Sequence, residues 1–187
     1  MYAPLEKFHL QASNTSVSNF TYRQEIYDID APYQRGSVWG QDRQMALIKS
    51  LLEGKPIGSV ILAEQPFGQF SYRVVDGKQR IEALWALVNG ELLIPAIWVD
   101  PDSDPNEMIS FQEANEITDG VFERKFENAA CPTIFYNPQQ DLSGEKVRRI
   151  KDPEKILQLE AELYVAVNTG GIDHTEEEIL RAEGFLS

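Results

Sequence analysis

The chain has little of what most familiar chemical sites are built from. Its single cysteine, Cys131, excludes an intrachain disulfide and any thiolate cluster for zinc. Only two histidines are present, His9 and His174, far apart and expected at the surface, so neither a histidine-rich metal site nor a His-Asn-His nuclease module can be assembled. No run approaches the roughly 20 apolar residues that cross a bilayer, which argues against a membrane protein. The opening Met-Tyr-Ala-Pro-Leu-Glu-Lys lacks a basic stretch followed by an apolar one, so no secretory signal is expected. A cytoplasmic location follows as the expectation.

The conventional nucleotide motifs are missing too. The Gly-Lys pairs at 54–55 and 77–78 lack the upstream glycine and the following hydroxyl of a P-loop, and there is no G-x-G-x-x-G. Positive charge is scarce: 17 Lys and Arg stand against 30 Asp and Glu, a net charge of −13. Residues 1–100 carry 11 acids and 9 bases, net −2, whereas 101–187 carry 19 and 8, net −11. Such a balance argues against binding duplex DNA unaided, because Lys and Arg on phosphate supply that affinity. The acidic half, with Asp100, Asp102, Asp104, Glu107 and Glu176 to Glu178, reads first as a solvated surface. A protein partner with a basic face is the functional alternative. The short basic run Lys146, Arg148, Arg149 and Lys151 reads as solvated as well.

What is present points to one place. Residues 74–85 read Val-Val-Asp-Gly-Lys-Gln-Arg-Ile-Glu-Ala-Leu-Trp, and Ile81, Leu84, Trp85 and Val88 fall at i, i+3, i+4 and i+7. This predicts a strand, a tight turn and an amphipathic helix. The turn places Asp76, Lys78, Gln79 and Arg80 at a helix N-terminus, where unpaired N–H groups and the helix dipole favour an anion such as phosphate. Two readings stay open, since Asp76 followed by Gln79 is also the spacing of a capping box. A second element has the same layout: Asp30-Ala-Pro-Tyr-Gln-Arg-Gly-Ser-Val-Trp39 precedes a helix pattern with Met45, Ile48 and Leu52 that stops at Gly54.

Pro-Tyr-Gln-Arg-x-x-Val-Trp at 32–39, the Leu51 to Leu62 run, Asp-Gly-Lys-Gln-Arg at 76–80 and Asn-Thr-Gly-Gly at 168–171 followed by Glu178-Ile179 occur in the order of one family. The chain resembles domain of unknown function 262, the Asp-Gly-Gln-Gln-Arg family with a ParB/sulfiredoxin-like fold, over roughly residues 20–182. The resemblance implies an α+β single domain over 1–187, a mixed sheet with flanking helices, that binds and often hydrolyses nucleoside triphosphates. Such domains serve modification-dependent restriction and other anti-phage systems, where they sense or gate while a separate effector cuts.

Carried over by position, the implied nucleotide and phosphate site is Gln34, Arg35, Gly77, Lys78, Arg80 and Asn168, with Asp76 and Gln79 as catalytic residues. Without a P-loop, Arg35 and Arg80 would clamp phosphate and the helix start at Gly77 would cradle it. Asp76 either holds Mg²⁺, which needs only one or two protein carboxylates, or orients an arginine. Asn168 and the glycines after it either bring backbone to the nucleotide or turn the chain; paired glycines after a helix need no ligand to explain them. Lys78 stands where the family usually has Gln, a departure that bears on hydrolysis and not on binding. The alternative function is an inactive phage or bacterial interaction protein that modulates a host or defence factor, a reading favoured by the short length.

Elsewhere the patterns predict strands at 21–30, Ser59–Ala63, Phe70–Val75, Leu92–Val99 with Pro95 at an edge or bulge, and Thr133–Tyr136. Helices are expected over 41–53, over 105–117 and from Pro153, the last with Ile156, Leu159, Leu163 and Val167 on one face. Loops are expected at 100–106 and 139–144, and a capping box of Thr175 and Glu178 predicts a last short helix.

Overall fold

The computed structural model describes residues 8–34, 36–139 and 150–168. Seven strands and six α-helices follow in the order β1 (Leu10–Ser16), α1 (Ser18–Thr21), β2 (Tyr27–Asp28), α2 (Gln41–Leu52), β3 (Val60–Glu64), β4 (Tyr72–Asp76), α3 (Lys78–Val88), β5 (Ile94–Pro95), β6 (Met108–Ile109), α4 (Phe111–Ile117), α5 (Val121–Glu127), β7 (Ala130–Tyr136) and α6 (Pro153–Asn168) among the described residues. The main sheet runs β1-β7-β3-β4-β2. Its β1/β7 and β3/β4 pairs are antiparallel and its β7/β3 and β4/β2 pairs parallel, so the fold is α+β around a mixed sheet. Among the described residues, no helix is long and apolar enough to cross a membrane.

The central strand explains the layering. In β3, Val60 and Leu62 enter one core with α2, α3 and the Phe122–Phe126 helix, while Ile61 and Ala63 enter a second core with Ala161, Leu163 and Tyr164 of α6. A strand buried on both faces reads as a continuous apolar run, which Val-Ile-Leu-Ala is. The adjacent β4 alternates in the same way, Val74 to one core and Val75 to the other, and delivers Asp76 at its end. Cys131 is buried in the first core, which pushes its thiol up to about 11.

Several expectations shift. The strand expected over 21–30 shrinks to Tyr27–Asp28, because the chain before it coils into α1 and a 3₁₀ turn. Phe20 is buried there and its carbonyl accepts from Trp85 Nε1 at 2.8 Å, tertiary contacts that override the alternation. The strand expected at Leu92–Val99 is only Ile94–Pro95, followed by a 3₁₀ turn over Ala96–Trp98. The helix expected from 105 begins at Phe111, where Ser110 and Glu113 form a complete capping box. The backbone N–H of Ser110 on its carboxylate, with the hydroxyl, holds Glu113 below the usual carboxylate range. The short strand expected at 133 extends over Ala130–Tyr136 and lies inside the sheet. Four elements, β1, α1, β6 and α5, have no counterpart among these expectations, β6 lying inside the span expected to be helical. The 139–144 connection beyond Gln139, the turn at 169–171 and the helix capped by Thr175 lie outside the described residues.

Candidate functional site

The junction of β4 and α3 forms as the sequence pattern predicts, but its cap does not. Gly77, at φ +95°, is the N-cap of α3, and no side chain caps the helix. A Cβ at Gly77 would come within 3.0 Å of Val60 Cγ2 and of an Arg80 nitrogen, so both backbone angle and space require glycine. The capping-box reading of Asp76 and Gln79 is therefore corrected. Asp76 stays in the strand and its Oδ2 lies 3.3 Å from Arg80 Nη1, which also donates to the Ser59 carbonyl at 3.2 Å. Gln79 reaches sideways, its Oε1 accepting from the backbone N–H groups of Val38 and Trp39, both at 2.9 Å.

The two glutamines thus bind the two motifs together. Gln34 Nε2 donates to the carbonyls of Val74 and Val75 at 2.8 and 2.7 Å, which fixes the turn at 31–34 against β4. Its own Oε1 is buried and has no hydrogen-bond partner. Gln79 does the reciprocal service for the segment after the first motif. Held in this way, Trp39 carries the guanidinium of Arg43 over its ring at 4.6 Å. Lys78 Nζ lies 2.8 Å from Asp30 Oδ1 and 3.9 Å from Glu82.

A pocket with about 620 Å³ of empty space, part of it open to solvent, lies where these elements meet. Gln34, Trp39, Arg43, Asp76, Gly77 and Lys78 line it together with Gln79, Arg80 and, from α6, Tyr164. Three cations, Arg43, Lys78 and Arg80, and one carboxylate, Asp76, line it beside an uncapped helix start, a setting that attracts anions. The ring of Tyr164 is backed by that of Tyr33, centroids 5.5 Å apart. The Tyr33 hydroxyl is buried without a partner, and burial holds it well above its ordinary pKa.

Of the residues expected at the site, Gln34, Asp76, Gly77, Lys78, Gln79 and Arg80 are brought together. Arg35 lies outside the described residues. Asn168 is not at the pocket wall: it is buried at the end of α6 and donates Nδ2 to the Tyr164 carbonyl at 2.7 Å. Sequence reasoning gave no site role to Trp39, which it met only as part of the first motif, and missed Arg43 and Tyr164. Arg43 carried a signal, sitting four residues after Trp39 in the opening turn of the next helix; Tyr164, on a core-facing stripe, carried none.

Behind the pocket α6 is anchored by an ionic cluster. Arg73 of β4 donates Nε to Asp28 and Nη1 to Glu160, both at 2.8 Å, and Gln65 donates to the other Glu160 oxygen at 2.6 Å. Glu160 is fully buried, and burial raises its pKa although Arg73 and Gln65 pull the other way. No group of His, Cys, Asp and Glu suited to a metal occurs among the described residues, and Asp76 is the carboxylate on the pocket wall.

Residues 17–185 fit the model for the GmrSD restriction endonuclease, N-terminal domain, and the chain belongs to this family. It is accordingly a component of restriction-type phage defence. No curated protein and no solved structure matches the chain.

Proposed function

We propose that this domain binds a nucleoside triphosphate with Mg²⁺ and transmits its occupancy to a partner effector in the cytoplasm, as the Asp-Gly-Gln-Gln-Arg kind of restriction domain does. One observation carries the reading: an uncapped helix start, three cations and one carboxylate share a single pocket. The residues suit the ligand. Backbone N–H groups at Gly77 and Lys78 would meet phosphate, with Arg80 and Arg43 as charged donors. Asp76 would complete the shell of a mostly hydrated Mg²⁺. Gln34, with one acceptor unspent, is available to a ribose or base donor.

Binding, not turnover, is the function supported. The oxygen of Gln79 is committed to two backbone N–H groups, and the Lys78 ammonium is a donor paired with Asp30, so neither offers a free acceptor to the proton of an attacking water. The second reading, an inactive interaction domain, rests on one fact: Lys78 and Arg80 are each already paired with a carboxylate.

Titration calorimetry with each nucleoside triphosphate, with and without Mg²⁺, separates the two. Arg43→Ala, at the rim and outside the core, should cost a charge-assisted contact of about 1.5–3 kcal/mol, roughly 10- to 150-fold in affinity. Asp76→Asn should remove the Mg²⁺ dependence. An absence of heat with every nucleotide would leave the interaction reading standing.

A further inference from the structure

The ribbon of β5 and β6 has one face in the core and one in solvent. Ile94 and Ile109 are paired and buried, so strand alternation turns their neighbours outward. Leu93, Ile97 and Met108 are 42%, 40% and 42% exposed, and Pro95 lies opposite Met108. Ile97 belongs to the 3₁₀ turn that follows β5. Single exposed apolar residues are ordinary, but a group on one small ribbon and the turn beside it marks an interaction surface.

The stretch of chain that contains it carries charge of one sign. From residue 81 through 123 the sequence holds ten Asp or Glu and no Lys or Arg. The loop between the two strands presents Asp102 and Asp104, and Glu91 and Glu107 flank the strands. All four are exposed, and none is ion-paired among the described residues. From another element, Lys49 brings one positive charge to within 5.9 Å of the Trp98 ring.

We infer that the outer face of the β5/β6 ribbon docks a cationic amphipathic segment of a partner protein. The apolar side of the segment sits on Leu93, Ile97 and Met108, and its Lys or Arg residues reach Glu91, Asp102, Asp104 and Glu107. A second copy of this chain does not suit the face, since it would oppose the same carboxylates to themselves, and nucleic acid would bring phosphate to them. Because the ribbon follows the C-terminal end of α3 and the pocket lies at its N-terminal end, roughly 16 Å of helix separates them. The docking face and the pocket thus lie at opposite ends of α3 and share no lining residue.

Fluorescence anisotropy tests it with a labelled leucine-lysine peptide about five turns long, amphipathic at the helical period, beside a scrambled peptide of equal composition. The amphipathic peptide should bind the full chain, more weakly as salt rises, and better than the scrambled one. Leu93→Ser with Met108→Ser should weaken binding about tenfold or more, and so should Asp102→Asn with Asp104→Asn and Glu107→Gln. All five positions are exposed, and unchanged thermal unfolding of the variants would establish an intact fold. Equal binding of both peptides, or undiminished binding by the Leu93/Met108 variant, would overturn the inference. So would concentration-dependent dimerisation in sedimentation that this variant abolishes, since the occupant would then be a second copy.

Discussion

Replacing Arg73 with methionine leaves carboxylates in the interior without their counter-charge. Glu160 is fully buried and held by two donors, Arg73 at 2.8 Å and Gln65 at 2.6 Å. Breaking a buried pair from one side costs about 3–5 kcal/mol, because the remaining charge keeps its desolvation penalty. The cost depends on pH in a direction set by the acid. Burial already raises Glu160 above its ordinary value, Arg73 opposes that, and its loss raises the carboxyl further. An acid raised in the folded state contributes stability that is complete below its unfolded pKa and is lost as pH rises through the folded one. The destabilisation should therefore be small near pH 4, where Glu160 can take a proton, and full near neutrality. Urea unfolding at about pH 4.5 and 7.5, followed by tryptophan fluorescence, measures it. Adding Glu160→Gln to Arg73→Met should recover much of the loss at neutral pH, since an amide needs no counter-charge. A loss under about 1 kcal/mol, a loss independent of pH, or a double variant no more stable than the single one would refute the account. The functional consequence is local: this cluster holds α6, and α6 supplies Tyr164 to the pocket.

Gly77→Ala should destabilise by about 1–2 kcal/mol, from the left-handed φ and the 3.0 Å contacts, and should displace Arg80; thermal unfolding and nucleotide titration read the two effects. Gln79→Ala releases the Val38 and Trp39 N–H groups, at a cost of about 1 kcal/mol because both can rehydrate, and its mark should be a red-shifted tryptophan emission. Cys131, buried with its thiol near 11, should resist iodoacetamide at pH 7.5 in the folded protein and react at once in urea. The purified chain should not retard duplex DNA at physiological salt, given its net charge of −13, and tight binding would contradict the electrostatic reading.

The sequence alone determined the parts whose signal is local. The β4-turn-α3 unit, α2, the β3/β4 hairpin and the start of α6 follow from periodicity, punctuation and a buried apolar run, which act within about ten residues of chain. The likeness in motif order grouped Gln34, Arg35, Asp76 to Arg80 and Asn168; of these Gln34 and Asp76 to Arg80 line one pocket, whereas Asn168 turns to the Tyr164 carbonyl. Tertiary structure decided the rest. β1 is a polar edge strand, Leu-Gln-Ala-Ser-Asn-Thr-Ser, recognisable only by its pairing with β7 more than a hundred residues away. Glu160 reads as one more surface acid of a helix until Arg73 is placed beside it. Gln79 had the spacing of a cap, but the approach of Val38 and Trp39 gave its oxygen two better donors and left the helix start open. Each of these depends on groups distant in sequence that meet only after collapse, and no local pattern encodes which partner a buried polar group will find.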